Sequence, residues 1–206
     1  MNIEKLFELQ GDFFARHPDG FEDEELVKIR KKHNIDKLSA QTQGFFSESQ
    51  FGKVESIIQN MILVMSRSSM VSMFDKPKFR DGIGTLSPAE REHLADAMFD
   101  LLHGDTEKGF NQFLEQLVTL KLARWSAIST IPFYFDPKNN WFIKPNTTKM
   151  ILNYFEMDKE LVYKPRPSYA FYRDYSTFLD EMKDQCDPKL SINNAAFTGF
   201  LMMTIN

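Results

Sequence analysis

Apolar positions recur at three- and four-residue intervals through most of the chain. The first run, Ile3, Leu6, Phe7, Phe13 and Phe14, predicts a helix from Asn2 to Arg16 that stops at the turn His17-Pro18-Asp19-Gly20. Asp23 caps a second helix, with Glu24 and Glu25 in its first turn and Lys28, Arg30, Lys31, Lys32 and His33 at its end; both groups complement the helix dipole. Residues 34–50 are polar around Phe45-Phe46 and read as a short helix plus a loop. Val54, Ile57, Ile58, Met61, Ile62 and Met65 then form a continuous stripe, the mark of a core helix, which could run on towards Phe74. Lys76 to Thr85 reads as a basic loop ending in glycines, the one place (76–86) where a sub-division of the chain could fall.

The best-marked boundary is Ser87-Pro88-Ala89-Glu90, which has the cap, first-turn proline and third-position glutamate of a capping box. Leu94, Ala97, Met98, Leu101 and Leu102 follow as a stripe. Beyond Gly104, Asp105 or Thr106 caps a partner helix carrying Phe110, Phe113, Leu114 and Leu117. The short connection predicts an antiparallel helical hairpin over 87–125.

Trp125 to Lys149 breaks this rhythm. Ile128 to Phe135 is rich in β-branched and aromatic residues, the run Asp136-Pro137-Lys138-Asn139-Asn140 forms a turn, and Trp141-Phe142-Ile143 is a second short apolar piece. The pattern predicts a small β-hairpin near 128–143, with Pro132 confining its first strand to an edge or bulge. A helix from about Thr147 to Phe155 follows, then an extended path through Pro165 and Pro167. Ser168 caps a long helix bearing Phe171, Tyr175, Phe178, Leu179 and Met182, and the last helix, starting near Asn193, is apolar on nearly every side and so belongs in the core. The expected fold is mainly α: a single helical domain over residues 1–206, with a central antiparallel helical hairpin and one small β-hairpin.

The 206 residues include 20 Phe and 11 Met, which implies an aromatic, adaptable core. A net charge of −4 carries no global nucleic-acid signature. The charge is uneven, however: residues 81–120 hold eight acids against two bases, and residues 121–175 nine bases against five acids. That asymmetry fits either a solvated face or a charged partner. The single cysteine, Cys186, excludes an intramolecular disulfide and a multi-cysteine zinc site and fits a reducing compartment. The N-terminal residues lack the pattern of a secretory signal and no segment has the length of a bilayer span, so a cytoplasmic protein is expected.

Candidate chemistry is sparse. Gly82-Ile83-Gly84 lacks the remainder of a dinucleotide motif, and neither a P-loop nor a GxSxG elbow occurs. His17, His33, His93 and His103 are scattered, so no metal set is assigned, and no cofactor site is either. Asp136-Pro137-Lys138, after a candidate strand, and Glu181-Met182-Lys183, inside a helix, resemble the acid-x-lysine element of metal-dependent nucleases; a turn accounts better for the first.

The remaining constellation is basic and aromatic: Lys138, Trp141, Lys144, Lys149, Tyr163, Lys164, Arg166, Tyr169, Tyr172 and Arg173. Cations neutralise phosphates and aromatic faces stack on bases, while the same residue types recur at protein interfaces, and aromatics also serve to close a core. The expectation is a non-enzymatic interaction protein that docks an acidic protein or nucleic acid through this surface. The alternatives are a metal-dependent hydrolase or nuclease with a site assembled from distant residues, and a small-ligand binder with an aromatic pocket of Trp125, Phe133, Tyr134 and Trp141.

The runs SMVSMFDKPKFRD, FYFDPKNNWFIKP, VYKPRPSYAFYRDY and INNAAFTGFLMM are similar to a family of uncharacterised bacterial proteins, over about the last two thirds of the chain. The resemblance implies a bacterial cytoplasmic source and brings no activity, cofactor or catalytic residue with it.

Overall fold

The computed structural model describes residues 2–205. Along them run α1 (Ile3–Arg16), α2 (Glu24–His33), α3 (Ile35–Phe45), α4 (Val54–Arg67), α5 (Asp75–Gly84), α6 (Pro88–His103), α7 (Thr106–Thr119), α8 (Trp125–Phe135), α9 (Pro145–Tyr154), α10 (Tyr169–Asp184) and α11 (Asn194–Thr204). Single 3-10 turns occur at Gly20–Glu22, Glu48–Gln50 and Pro188–Leu190. The caps fall where the side chains call for them. Asn2, Asp23, Asp105, Ser168 and Asn193 each accept from a backbone N–H of the following turn, and Ser87 and Glu90 form the reciprocal capping box. One hydrophobic cluster joins residues from α1 to α11 and crosses 76–86 without a break.

The helical hairpin is the tightest pairing in the fold. A Cβ built on Gly109 would lie 2.1 Å from the Leu101 nitrogen, so α7 rests directly on the α6 backbone. Residues 75–84, expected as a loop, form α5. Phe79 and Ile83, four apart, are fully buried, and Pro77 falls in the first turn, where its missing N–H has no helical partner to lose. The core helix α4 stops at Arg67 and does not reach Phe74. Ser68 leaves the helical conformation, and its buried hydroxyl bonds the Tyr134 hydroxyl at 3.2 Å and accepts from the Met70 amide.

The described residues contain no strand, and the expected β-hairpin is replaced by helix α8 followed by an extended segment. A short, mostly apolar run does not itself distinguish a buried strand from a buried helix, and tertiary context settles the matter here. α8 packs against α3, α4, α6 and α7, and every residue from Ala127 to Tyr134 is buried. Two of its hydroxyls donate within the helix: Ser129 to the Trp125 carbonyl at 2.7 Å and Thr130 to the Ser126 carbonyl. Pro132 lies one turn from the helix end, and beyond it the Asp136 amide closes on the Pro132 carbonyl.

After α8, residues 136–139 make a hydrogen-bonded turn and residues 140–144 run on without a strand partner, with Trp141, Phe142 and Ile143 buried. Isolated donors satisfy their backbone instead. The Asn194 amide donates to the Pro137 carbonyl at 2.8 Å and its side chain to the Asn140 carbonyl at 3.0 Å, while Lys183 donates to the Lys138 carbonyl at 3.1 Å. In the other direction the Trp141 amide donates to the Tyr172 hydroxyl and the Ile143 amide to the Ser129 hydroxyl, at 3.3 and 3.0 Å. α8, α10 and α11 are thereby fixed to one another through a single crossing segment.

Gly109→Ala is expected to destabilise the protein by about 1–3 kcal/mol, because α6 and α7 must separate. Gly11→Ala, on an exposed helix face with nothing near its Cβ, should be neutral or stabilising by up to about 1 kcal/mol. Urea midpoints compare the two, and equal effects would show that the Gly109 contact is not tight.

Candidate functional site

The structure divides the basic and aromatic residues of 138–173. Trp141 is 1% exposed and Tyr172 8% exposed, so neither face is open for stacking. Burial raises the Tyr172 phenol above its ordinary range and keeps it a neutral donor and acceptor between Trp141 and Asn140. Trp141 donates its indole N–H to Asp180 at 3.3 Å beneath Lys183, whose ammonium lies 5.2 Å from the ring centre and 2.8 Å from Asp180. Tyr169 packs on Phe110, and exposed Arg173 is paired with Asp174 at 2.8 Å.

Lys149, Tyr163 and Lys164 do come together. Lys149 lies over the half-buried Tyr163 ring at 5.3 Å, and the Lys164 carbonyl accepts from the Trp125 indole at 2.8 Å. Arg166 is exposed in the irregular segment between α9 and α10. Lys138, held by Lys183, is remote from Arg173, since ten residues of α10 span roughly 15 Å. Lys144 caps the start of α9, and five residues later Lys149 points roughly 140° away around the helix axis. The expected surface is therefore split. Trp125, Phe133, Tyr134 and Trp141, the expected pocket, are solid core at 0–1% exposure.

The open concavities lie elsewhere. An apolar cleft of about 430 Å³ runs between α2 and α11, with Met70 and the start of α9 also in its lining. Phe21, Leu26, Phe142 and Ala196 are its buried inner surface, and Ile29 and Met202, 43% and 46% exposed, stand at its mouth. The cleft follows from how its walls are held. Arg30 binds the Phe21 carbonyl and the Glu22 carboxylate, at 3.1 and 2.6 Å, which folds α2 back on the first 3-10 turn. In the same last turn of α2 the His33 Nδ1 lies 3.0 Å from the Ser69 hydroxyl. α11 turns its small residues, Ala195, Ala196 and Gly199, towards α2, so the space between stays unfilled.

The charged residues lining this cleft are Arg30 and Lys144, with His33 beside them, and none of the described lining residues is a carboxylate. Lys144 has no ion pair among the described residues. A second cleft of about 350 Å³, lined by His33, Asn34, Lys37, Leu38, Gln41 and Arg67, adjoins the first at His33. Sequence reasoning missed both. The helix dipole alone accounts for the basic end of α2, and a C-terminal helix apolar on nearly every side points to burial rather than to a cleft wall. The available signal was the row of small residues at Ala195, Ala196 and Gly199, which leaves volume open where larger side chains would close it.

The other candidates are structural. His33 and Ser69 resemble a catalytic pair, but the serine hydroxyl also reaches the His33 carbonyl at 3.3 Å, and among the described residues no carboxylate orients the imidazole. The contact ties the ends of α2 and α4. Asp136 caps its own turn, accepting from the Lys138 and Asn139 amides and the Asn139 side chain. Gly82 and Gly84 close α5. The four histidines remain apart, and no cluster of His, Cys, Asp and Glu able to hold a metal occurs among the described residues. No helix among those residues is long and apolar enough to cross a membrane. No protein-family model, curated protein or solved structure matches the chain.

Cys186 is buried, and desolvation, with a smaller contribution from Asp187, pushes its thiol up to about 12. At pH 8 a thiol-specific reagent should modify it roughly a thousandfold more slowly in the native protein than in urea, because the folded thiol is almost entirely protonated. Equal rates would restore Cys186 as a candidate nucleophile.

Proposed function

We propose that this is a non-enzymatic binding protein for a small acidic amphiphile. Its apolar body occupies the cleft between α2 and α11, and its acid group meets the cationic rim. The observation that carries this reading is the pairing of a deep apolar cleft with polar lining groups that are cationic or neutral only. A volume of about 430 Å³ is of the size that holds small molecules, and its lining has the composition of such sites: mostly apolar, with a few placed polar groups. Arg30 is partly neutralised by Glu22, so Lys144 is the cation most available to a ligand. This reading follows the small-ligand alternative rather than the acidic-protein or nucleic-acid one, with the cleft in place of the aromatic pocket, whose residues are core.

Titration with decanoate and decanol tests the proposal. Decanoate should bind, and Ala195→Phe, which fills the cleft from a half-buried position, should weaken it by roughly tenfold or more, about 1.4 kcal/mol. Lys144→Gln should weaken decanoate and leave decanol unchanged. Unaltered decanoate binding in Ala195→Phe would place the ligand elsewhere. Turnover of a p-nitrophenyl ester that is lost in Ser69→Ala would show an enzyme instead.

A further inference from the structure

We infer that the ligand's own acid group is a phosphomonoester, held not at Lys144, where the carboxylate of decanoate is read to sit, but in the polar cleft beside the apolar one. This rests on the reading of the apolar cleft as a ligand site. The two clefts share His33, and the His33–Ser69 contact stands between them, so a molecule longer than the apolar cleft passes this contact with its head among Lys37, Arg67, Asn34 and Gln41.

The donors there exceed what a carboxylate uses. Arg67 and Lys37 supply two permanent positive charges, Asn34 and Gln41 supply amide N–H groups, and no described residue lining the cleft is acidic. A carboxylate offers one negative charge and two oxygens. A phosphomonoester offers close to two charges and three terminal oxygens, which suits two cations and several neutral donors. Arg67 is already oriented: one guanidinium nitrogen donates to the Gln41 side-chain oxygen at 3.0 Å, which fixes the plane of the fork and leaves its other N–H groups for an oxyanion. Lys37 makes no ion pair among the described residues. His33 holds Ser69 through Nδ1, which leaves Nε2 for the head group. Exposed Lys31 and Lys32, on the last turn of α2, add to the positive field at the entrance.

The occupant is thus a single-chain alkyl or prenyl phosphate monomer, its chain between α2 and α11 and its phosphate between α3 and the end of α4. The test is calorimetric titration with decyl phosphate, decanoate and inorganic phosphate, on the unaltered protein and on the double variant Lys37→Gln, Arg67→Gln. Both side chains lie at the surface, and a thermal melt checks that the variant folds. Decyl phosphate should bind roughly tenfold tighter than decanoate, and the double variant should remove that preference while leaving decanoate within about twofold. Inorganic phosphate should compete with decyl phosphate and not with decanoate. Equal affinities for the two amphiphiles, or a preference that survives in the double variant, would overturn the phosphate assignment and leave the apolar-cleft reading standing. Failure of both amphiphiles to bind would overturn both.

Discussion

A polypeptide that crosses a core in extended form must have its amide and carbonyl groups paired, and a buried group left without a partner costs about 1–3 kcal/mol. In this protein residues 140–144, entered through the turn at 136–139, run extended with Trp141, Phe142 and Ile143 buried and no neighbouring strand. From three different helices, Asn194 supplies two bonds and Lys183, Tyr172 and Ser129 supply or receive one each, in place of those a ladder would have provided. The arrangement of α8, α10 and α11 is set by this exchange, since moving any of the three helices breaks a bond to the shared segment. Lys183 is the most connected of the four: it reaches the Lys138 carbonyl, Asn194, Asp180 and the face of Trp141.

The clefts are a consequence of the same constraint. Asn194 holds the first turn of α11 to the crossing segment, and Phe13 meets Phe200 edge-on from α1, so one face of α11 is committed inward. The face with Ala195 and Gly199 is then turned towards α2. That helix is anchored through its last turn, by Arg30 to the first 3-10 turn and by His33 to Ser69, and is not packed along its length against α11. Two walls fixed by separate interactions leave a gap whose width neither wall sets alone. The basic residues at the end of α2, favourable there for the helix dipole, also give the gap its positive rim.

Much of the helical layout was legible in the sequence because each boundary carried its own local chemistry. Ser87 with Glu90, Asp105, Ser168 and Asn193 mark helix starts through bonds made within one turn, and the stripes of α4, α6, α7 and α10 have a plain 3.6 period. α8 was not legible. Its β-branched residues and Pro132 favour a strand locally, and what makes it a helix is enclosure by four other helices, which no window of sequence contains. α5 failed for a related reason, because two buried residues, Phe79 and Ile83, are too few to show a period. The basic aromatic residues of 138–173 were identified as a group from their proximity in sequence, but Trp141 and Tyr172 serve the crossing segment, and the cations fall on different sides of α9 and α10. The clefts involve residues 21–41, 67–70 and 142–147 together with the C-terminal helix, a set brought together only by folding.

The central claim is that the concavity beside α2, and not the 138–173 surface, receives the ligand. Amide chemical-shift mapping during a decyl phosphate titration addresses it most directly. The account predicts perturbations concentrated at residues 29–41, 67–70 and 193–203 and at Lys144, with Lys149, Tyr163, Lys164 and Arg166 unmoved. Shifts centred on Lys149 to Arg173, with α2 and α11 unaffected, would contradict it.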